Sequence, residues 1–242
     1  MVNNDKFIFF RLQKCASRSL AEYFNNEFES YNKNNPIKGN HTSVQDCITP
    51  KYFRDDNDFK IQLERAKSII RDRLCVSSIR NPWDWYVSWH NSIKTESRFS
   101  SIFNENFNIF IDSVMDLDSG DYPALSFKIC KELDIGPLSF RFLRLLSYYP
   151  LTDLDKLRQV VNKSEEFKTL STPIDYFIRF ENIKDDIINL YKLIEHPNKG
   201  NINLNNFNKT IRGPYEEYYT PETKDLVRHK ERMLIKHFNY KF

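Results

Sequence analysis

Three short apolar runs, each leading at once into a helical pattern, constrain this chain more than any other feature. Lys6 to Arg11 is compact, β-rich and apolar, as a buried parallel strand must be. It passes through Leu12-Gln13-Lys14-Cys15-Ala16-Ser17 into a helix with Leu20, Tyr23, Phe24 and Phe28 on one face. Leu74 to Ile79 reads as a second buried strand. Behind it Asn81 is placed as an N-cap and Pro82 at the first helical position, and the helix runs on through Trp85, Val87, Ser88 and Trp89. Asp175 to Phe180 is the third strand, followed by Glu181-Asn182 and a helix with Ile183, Ile187, Leu190, Tyr191 and Ile194 on one face. Strands that alternate with helices need crossover connections. The expected fold is therefore α/β, a mostly parallel β-sheet flanked by helices.

Residues 29 to 60 are rich in Asn, Asp, Lys and Pro and read as a long excursion, of the kind that often carries function. Residues 106 to 116 and 138 to 148 are expected to be helical, with a weaker helix at 152 to 161. An Asn/Lys/Gly loop at 197 to 214 ends in Arg212-Gly213-Pro214. One last helix then starts near Pro221-Glu222 and turns Leu226, Val227, Met233 and Leu234 inward. There is no internal repeat. With 242 residues, 40% of them hydrophobic, the chain suits one domain over 1–242.

The net charge of +3 suits an anionic ligand but falls far short of the dense basic stripe of a nucleic-acid binder, so no nucleic-acid partner is expected. Cys15, Cys47, Cys75 and Cys130 form no CxxC pair and no metal-type spacing; free thiols in a reducing compartment, and no metal, are expected. No segment holds the roughly 18 to 20 consecutive apolar residues that span a bilayer. Phe7-Ile8-Phe9-Phe10 has no small-residue cleavage site after it. A soluble cytoplasmic protein without a membrane partner is expected, in preference to one that has lost an N-terminal anchor.

Two strand-to-helix junctions put cations at the carboxyl ends of strands, where α/β sheets bind ligands. At the first, Lys14, Ser17, Arg18 and Ser19 gather a cation, hydroxyls and helix N-terminal N–H groups, which suits a phosphate or sulfate. The plainer alternative is a surface lysine ahead of a serine-capped helix. An ATP-type P-loop needs glycines before its Lys-Ser/Thr, and the first glycine here is Gly39. At the second, Arg80 ends a strand and Ser88 lies two turns into the helix, on the face of Asn81 and Asp84/Trp85. A guanidinium fork and a hydroxyl can clamp a second phosphate. The plainer alternative is that Arg80 pairs with a local carboxylate and the tryptophans are core.

Gln13-Lys14-Cys15-Ala16-Ser17-Arg18-Ser19-Leu20 resembles the 5′-phosphosulfate loop, Pro-Lys-x-Gly-Ser/Thr-x-Ser/Thr, of sulfotransferases that use 3′-phosphoadenosine 5′-phosphosulfate (PAPS). Arg80 through Ser88 resembles that family's 3′-phosphate motif, Arg-x-Pro-x-x-x-x-x-Ser. Phe177-Ile178-Arg179-Phe180-Glu181 is similar to its later strand ending in an acidic residue. Tyr218 to Thr223 and Phe238 to Phe242 are similar to the closing segment of carbohydrate-type and bacterial members, and Arg212-Gly213 to the late Arg/Lys-Gly element. Residues 95 to 170 match no motif. Gln13 stands where the family has proline, Ala16 stands where it has glycine, and Arg18 adds a cation.

The resemblance implies a P-loop-like nucleotide-binding sulfotransferase fold and an O-sulfotransferase that moves the sulfuryl group of PAPS to an acceptor hydroxyl and releases PAP. It implies that Lys14 contacts the 5′-phosphate and the bridging oxygen, that Cys15, Ala16, Ser17, Arg18, Ser19 and Leu20 cradle the 5′-phosphate, and that Arg80 and Ser88 hold the 3′-phosphate, with Arg212 and Gly213 also on the nucleotide. His41, in Gly39-Asn40-His41-Thr42-Ser43, resembles a Lys-His-Thr/Ser segment of bacterial members and is the expected general base. His90, Glu22 and Glu27 are the alternatives. His196, His229 and His237 are expected to be polar caps. The acceptor is expected to be a hydroxyl-bearing small molecule or saccharide, with Trp83 and Trp85 singled out among the aromatics of an acceptor cleft. Competing expectations are a PAPS/PAP-binding module without catalysis, a P-loop-type small-molecule kinase, and a polyanion-binding protein.

Overall fold

A computed structural model describes residues 2–4, 6–28, 43, 73–93, 105–116, 124–147, 149–163, 172–197, 202 and 212–242. The strands are β1 (Val2–Asn3), β2 (Phe7–Phe10), β3 (Leu74–Ile79) and β4 (Tyr176–Arg179). The helices are α1 (Ser17–Glu27), α2 (Pro82–Ile93), α3 (Phe107–Met115), α4 (Ala124–Leu133), α5 (Pro137–Leu146), α6 (Leu154–Asn162), α7 (Ile183–Leu193), α8 (Pro221–Lys230) and α9 (Arg232–Phe238). The strands form one sheet in the order β1-β2-β3-β4. The fold is α/β: β2, β3 and β4 run parallel, with Phe7 opposite Leu74 and Val76 opposite Tyr176.

β1 is an antiparallel edge that the sequence did not announce, because two residues carry no periodicity. Its cause is local. Asn4 Oδ1 accepts from Lys6 N at 2.9 Å and Phe7 N at 2.8 Å, an Asx turn that reverses the chain into β2.

The chain divides into two compact units that alternate along the sequence. The first comprises Met1–Ile79, Arg144–Pro150 and Ser171–Phe207, and contains the sheet with α1 and α7. Its core joins Phe7 and Phe9 from the sheet with Leu20, Phe24 and Phe28 from the α1 segment and Ile187, Leu190 and Tyr191 from α7. The rings of Phe7 and Phe24 meet edge-on at 5.0 Å, the arrangement aromatic quadrupoles favour. Tyr191 closes the far side by donating its hydroxyl to that of Tyr23 at 2.8 Å. Asp175 aligns the start of β4 on β3: its N–H donates to Cys75 O at 2.8 Å, and its carboxylate accepts from Cys75 N at 2.8 Å.

The second unit comprises Arg80–Leu143, Leu151–Leu170 and Asn208–Phe242, and is helical in its described residues. Its centre is α2, where Trp83, Trp85, Tyr86 and Trp89 are fully buried. The Arg141 guanidinium lies 5.0 Å from the Trp85 ring centre and 4.7 Å from that of Trp89.

Two expectations about helices need correction. Residues 124–133 form α4, for which no helix was expected; among its described side chains Ser126, Ile129, Cys130 and Leu133 are buried. The single C-terminal helix is two helices, α8 and α9, divided at Glu231. Glu231 N still bonds back to Val227 O, and its side chain is wholly buried. Leu226, expected to turn inward, is only half-buried. Among the described residues, no helix is long and apolar enough to cross a membrane.

Candidate functional site

The first junction lies between β2 and α1. Lys14 and Ala16 both adopt left-handed backbone, with φ of 62° and 55°. That region costs a residue with a Cβ about 1–2 kcal/mol. Ala16 holds this conformation without the glycine that would make it cheap. Alternation of hand along a turn is the backbone pattern of an anion-binding nest. Ala16 is also the N-cap of α1, and it supplies no side-chain cap; the first turn of α1 carries no acidic residue. Around this turn Ser17 is buried, Lys14 and Ser19 are half-buried, and Arg18 is exposed.

Arg11, read from sequence as the last residue of a strand, belongs with this cluster. Burial, and then the nearby charge of Arg18, lower its pKa. Three cations, Arg11, Lys14 and Arg18, thus fall within eight consecutive residues of one turn. The available signal was a basic residue at the carboxyl end of a strand just before a strand-to-helix loop. Leu20 needs a correction: its side chain is core, and its N–H closes onto Ala16 O at 3.0 Å, so the helix consumes its donor. Cys15 is wholly buried, with Sγ 3.5 Å from Gln13 O.

The second junction is more elaborate. Asn81 caps α2 as expected, accepting from Trp83 N at 3.1 Å. Its amide also donates to Lys241 O at 2.9 Å and to Tyr215 Oη at 3.3 Å. Tyr219 donates its hydroxyl to Trp83 O at 2.8 Å, and Trp83 Nε1 donates to Lys224 O at 3.1 Å. Arg80 is 6% exposed and donates Nε to Asp84 Oδ2 at 2.6 Å. Arg212 donates to the other oxygen, Asp84 Oδ1. One buried carboxylate therefore gathers two arginines from distant parts of the chain. The three groups, two cations and one anion, carry a net single positive charge.

The local ion pair foreseen as the plainer alternative for Arg80 is thus present, and the same carboxylate recruits Arg212. The signal for Asp84 was its i,i+4 spacing from Arg80. Trp83 and Trp85, singled out for an acceptor cleft, are 1% and 0% exposed and belong to the core. From Asn81 to His90, Ser88 is the single residue that is not buried. Gly213 is exposed, and a Cβ there would come within 2.8 Å of Glu217 Oε2.

Glu231 secures α2 from the other side. Its carboxylate is wholly buried and accepts from Tyr86 Oη, from Leu138 N at 3.1 Å, from Ser139 N at 2.8 Å and from Ser139 Oγ at 2.6 Å. Two of these donors are the first free N–H groups of α5, so Glu231 caps that helix from a distance. Burial raises the Glu231 pKa, against the lowering effect of the Ser139 and Tyr86 hydrogen bonds. Burial, and then Glu231, push the Tyr86 hydroxyl well up, and the Cys130 thiol is pushed up to about 12 for the same two reasons. A Cβ at Gly136 would clash with the Glu231 carboxylate and lie 2.8 Å from Tyr86 Oη, so only glycine fits beside this pair.

His41, the expected base, and Cys47 lie outside the described residues. His90 is 2% exposed, its ring 5.4 Å from Phe107 and 5.0 Å from Phe110. Glu22 and Glu27 are half-buried on α1. Of the three histidines expected as polar caps, His196 rests its ring on Phe28 and Tyr191 at 4.7 and 4.6 Å, and His237 rests on Phe238 at 4.6 Å. His229 meets Asp134 through Nε2 at 2.6 Å. Cys15, Cys75 and Cys130 are buried, and no disulfide is seen among the described residues. No family model matches the chain, and no curated protein or solved structure matches it either.

Proposed function

We propose that this chain is a PAPS-dependent O-sulfotransferase of P-loop-like nucleotide-binding fold, one domain over 1–242, acting in the cytoplasm. The observation that carries the proposal is the pairing of Arg80 with Arg212 on Asp84. The same resemblance picks out both arginines, Arg80 by the 3′-phosphate motif and Arg212 by the late basic element, and a guanidinium pair suits a phosphate dianion. The left-handed turn at Lys14 and Ala16, with its uncapped helix, supports a 5′-phosphate cradle made by Lys14, Ala16, Ser17, Arg18 and Ser19. The absence of a disulfide among the described residues fits a reducing compartment.

In this proposal the acceptor oxygen attacks the sulfuryl sulfur as the bond from sulfur to the bridging oxygen breaks. The hydroxyl proton passes to the base, assigned to His41 on resemblance, and PAP leaves with its charge offset by Lys14. Such a transfer is chiefly a matter of position and charge stabilisation. No metal is assigned a part in it.

The test is calorimetric titration of PAP and ADP into the wild type and a Lys14→Ala/Arg80→Ala double variant. Micromolar PAP binding, much weaker ADP binding, and loss of both in the variant are expected. Equal affinity for PAP and ADP, or no binding of either, overturns the proposal. Selective PAP binding without transfer of label from PAPS to any hydroxyl acceptor would leave a nucleotide-binding module.

A further inference from the structure

We infer that Asp84 is a positioning residue, which sets Arg80 and Arg212 as one preformed receptor for the 3′-phosphate; the inference rests on the nucleotide-binding reading above. Asp84 sits in the first turn of α2, four residues after Arg80, with its side chain 10% exposed. It uses one oxygen for Arg80 Nε at 2.6 Å and the other for Arg212. Engagement through Nε fixes the plane of the Arg80 guanidinium, because the delocalised group is rigid beyond Nε. The second bond brings in Arg212, which belongs to neither the strand nor the helix of the junction. The helix under Asp84 is itself held: Asn81 caps it, Tyr219 binds Trp83 O, and Tyr86 binds Glu231. The carboxylate is therefore a fixed post between two long side chains, each of which would otherwise lose rotamer freedom on meeting a ligand.

Charge and position make opposite forecasts here, so the inference is testable. Removing the Asp84 charge takes the group from one net positive charge to two, and Coulomb attraction alone would tighten the grip on a phosphate. Loss of position loosens it. The experiment is calorimetric titration of PAP and ADP into the full-length wild type, Asp84→Asn, Arg212→Gln and the double variant, with a thermal melt of each. Asp84→Asn is expected to weaken PAP about tenfold or more and to narrow the preference for PAP over ADP. In the Arg212→Gln background the same substitution is expected to cost clearly less, since one of its two partners is gone.

Tighter or unchanged PAP binding by a folded Asp84→Asn overturns the inference, as do strictly additive effects. A lower melting temperature with the PAP-over-ADP preference intact assigns Asp84 to structure alone, and also overturns it. If Asp84→Asn does not fold, Arg212→Gln decides, since its side chain is partly exposed and outside the helices: unchanged PAP affinity there overturns the inference. Failure of the wild type to prefer PAP over ADP is a separate result, which removes the nucleotide-binding reading itself.

Discussion

After β2 the chain enters α1 through two left-handed residues, Lys14 and Ala16, and the helix begins with no side-chain cap. After β3 it enters α2 through Asn81 and Pro82, with no left-handed residue, a side-chain cap, and ties to Tyr215, Tyr219 and Lys241. Both junctions deliver cations to the carboxyl end of a parallel strand. The first does so with a strained backbone and no side-chain cap at the helix start. The second does so with a carboxylate that takes two guanidiniums, on a helix braced from several directions. The difference separates two ways of shaping a strand-to-helix junction. One relies on left-handed backbone and stores strain; the other relies on side chains held by hydrogen bonds.

The contrast is broken most severely at Glu231. Each of its oxygens accepts a backbone N–H of α5, so Glu231→Gln must set an amide N–H₂ against a backbone donor. A loss of about 3 kcal/mol in a urea-unfolding measurement is expected, with α2 loosened through Tyr86. The same residue gives a sign in pH. Its folded-state pKa is raised above the ordinary 4.5, so its contribution is fully present below that value and is lost as pH rises through the folded value. The urea midpoint of the wild type should therefore fall from its acid value more steeply than that of Glu231→Gln over this window. A wild type that gains stability relative to the variant as pH rises would contradict the burial account.

Next in size is Asn81→Ala, which removes a cap and two further hydrogen bonds. A loss of about 1–2 kcal/mol is expected from a thermal melt. An effect near zero would mean that the second junction is not held by its cap. The smallest effect has the opposite sign. Ala16→Gly relieves left-handed strain but frees the unfolded chain, for a net gain of about 0.5 kcal/mol in melting experiments. Destabilisation would mean that the turn is not strained as its φ implies.

The strands that pair as parallel neighbours were legible because each is a compact apolar run bounded by polar residues, and Leu74–Ile79 emerged with its expected bounds. The edge strand depends on one Asn4 side chain and leaves no pattern of its own. The break at Glu231 was hidden for a related reason. Within Lys230-Glu231-Arg232 a carboxylate reads as one more solvated charge, and only the packing of Tyr86, Leu138 and Ser139 around it makes it interior. At the candidate site the spacing of Arg80 and Ser88, and the Lys14 loop, were visible in the linear sequence. The meeting of Arg80 with Arg212 was not, because no local rule links residues that far apart; it is a product of tertiary folding around Asp84.

The buried thiols give the molecule built-in markers of opening. Cys15 lies in the turn before α1, Cys75 in β3 and Cys130 in α4, all under 4% exposed. Alkylating reagents attack the thiolate, and a thiol shifted to about 12, as Cys130 is, supplies almost none while the fold is closed. Labelling at each position then runs at the frequency with which its own surroundings come apart. Mass-resolved rates for the three cysteines would time the breathing of the turn before α1, the sheet and the helical unit separately, with no reporter group added.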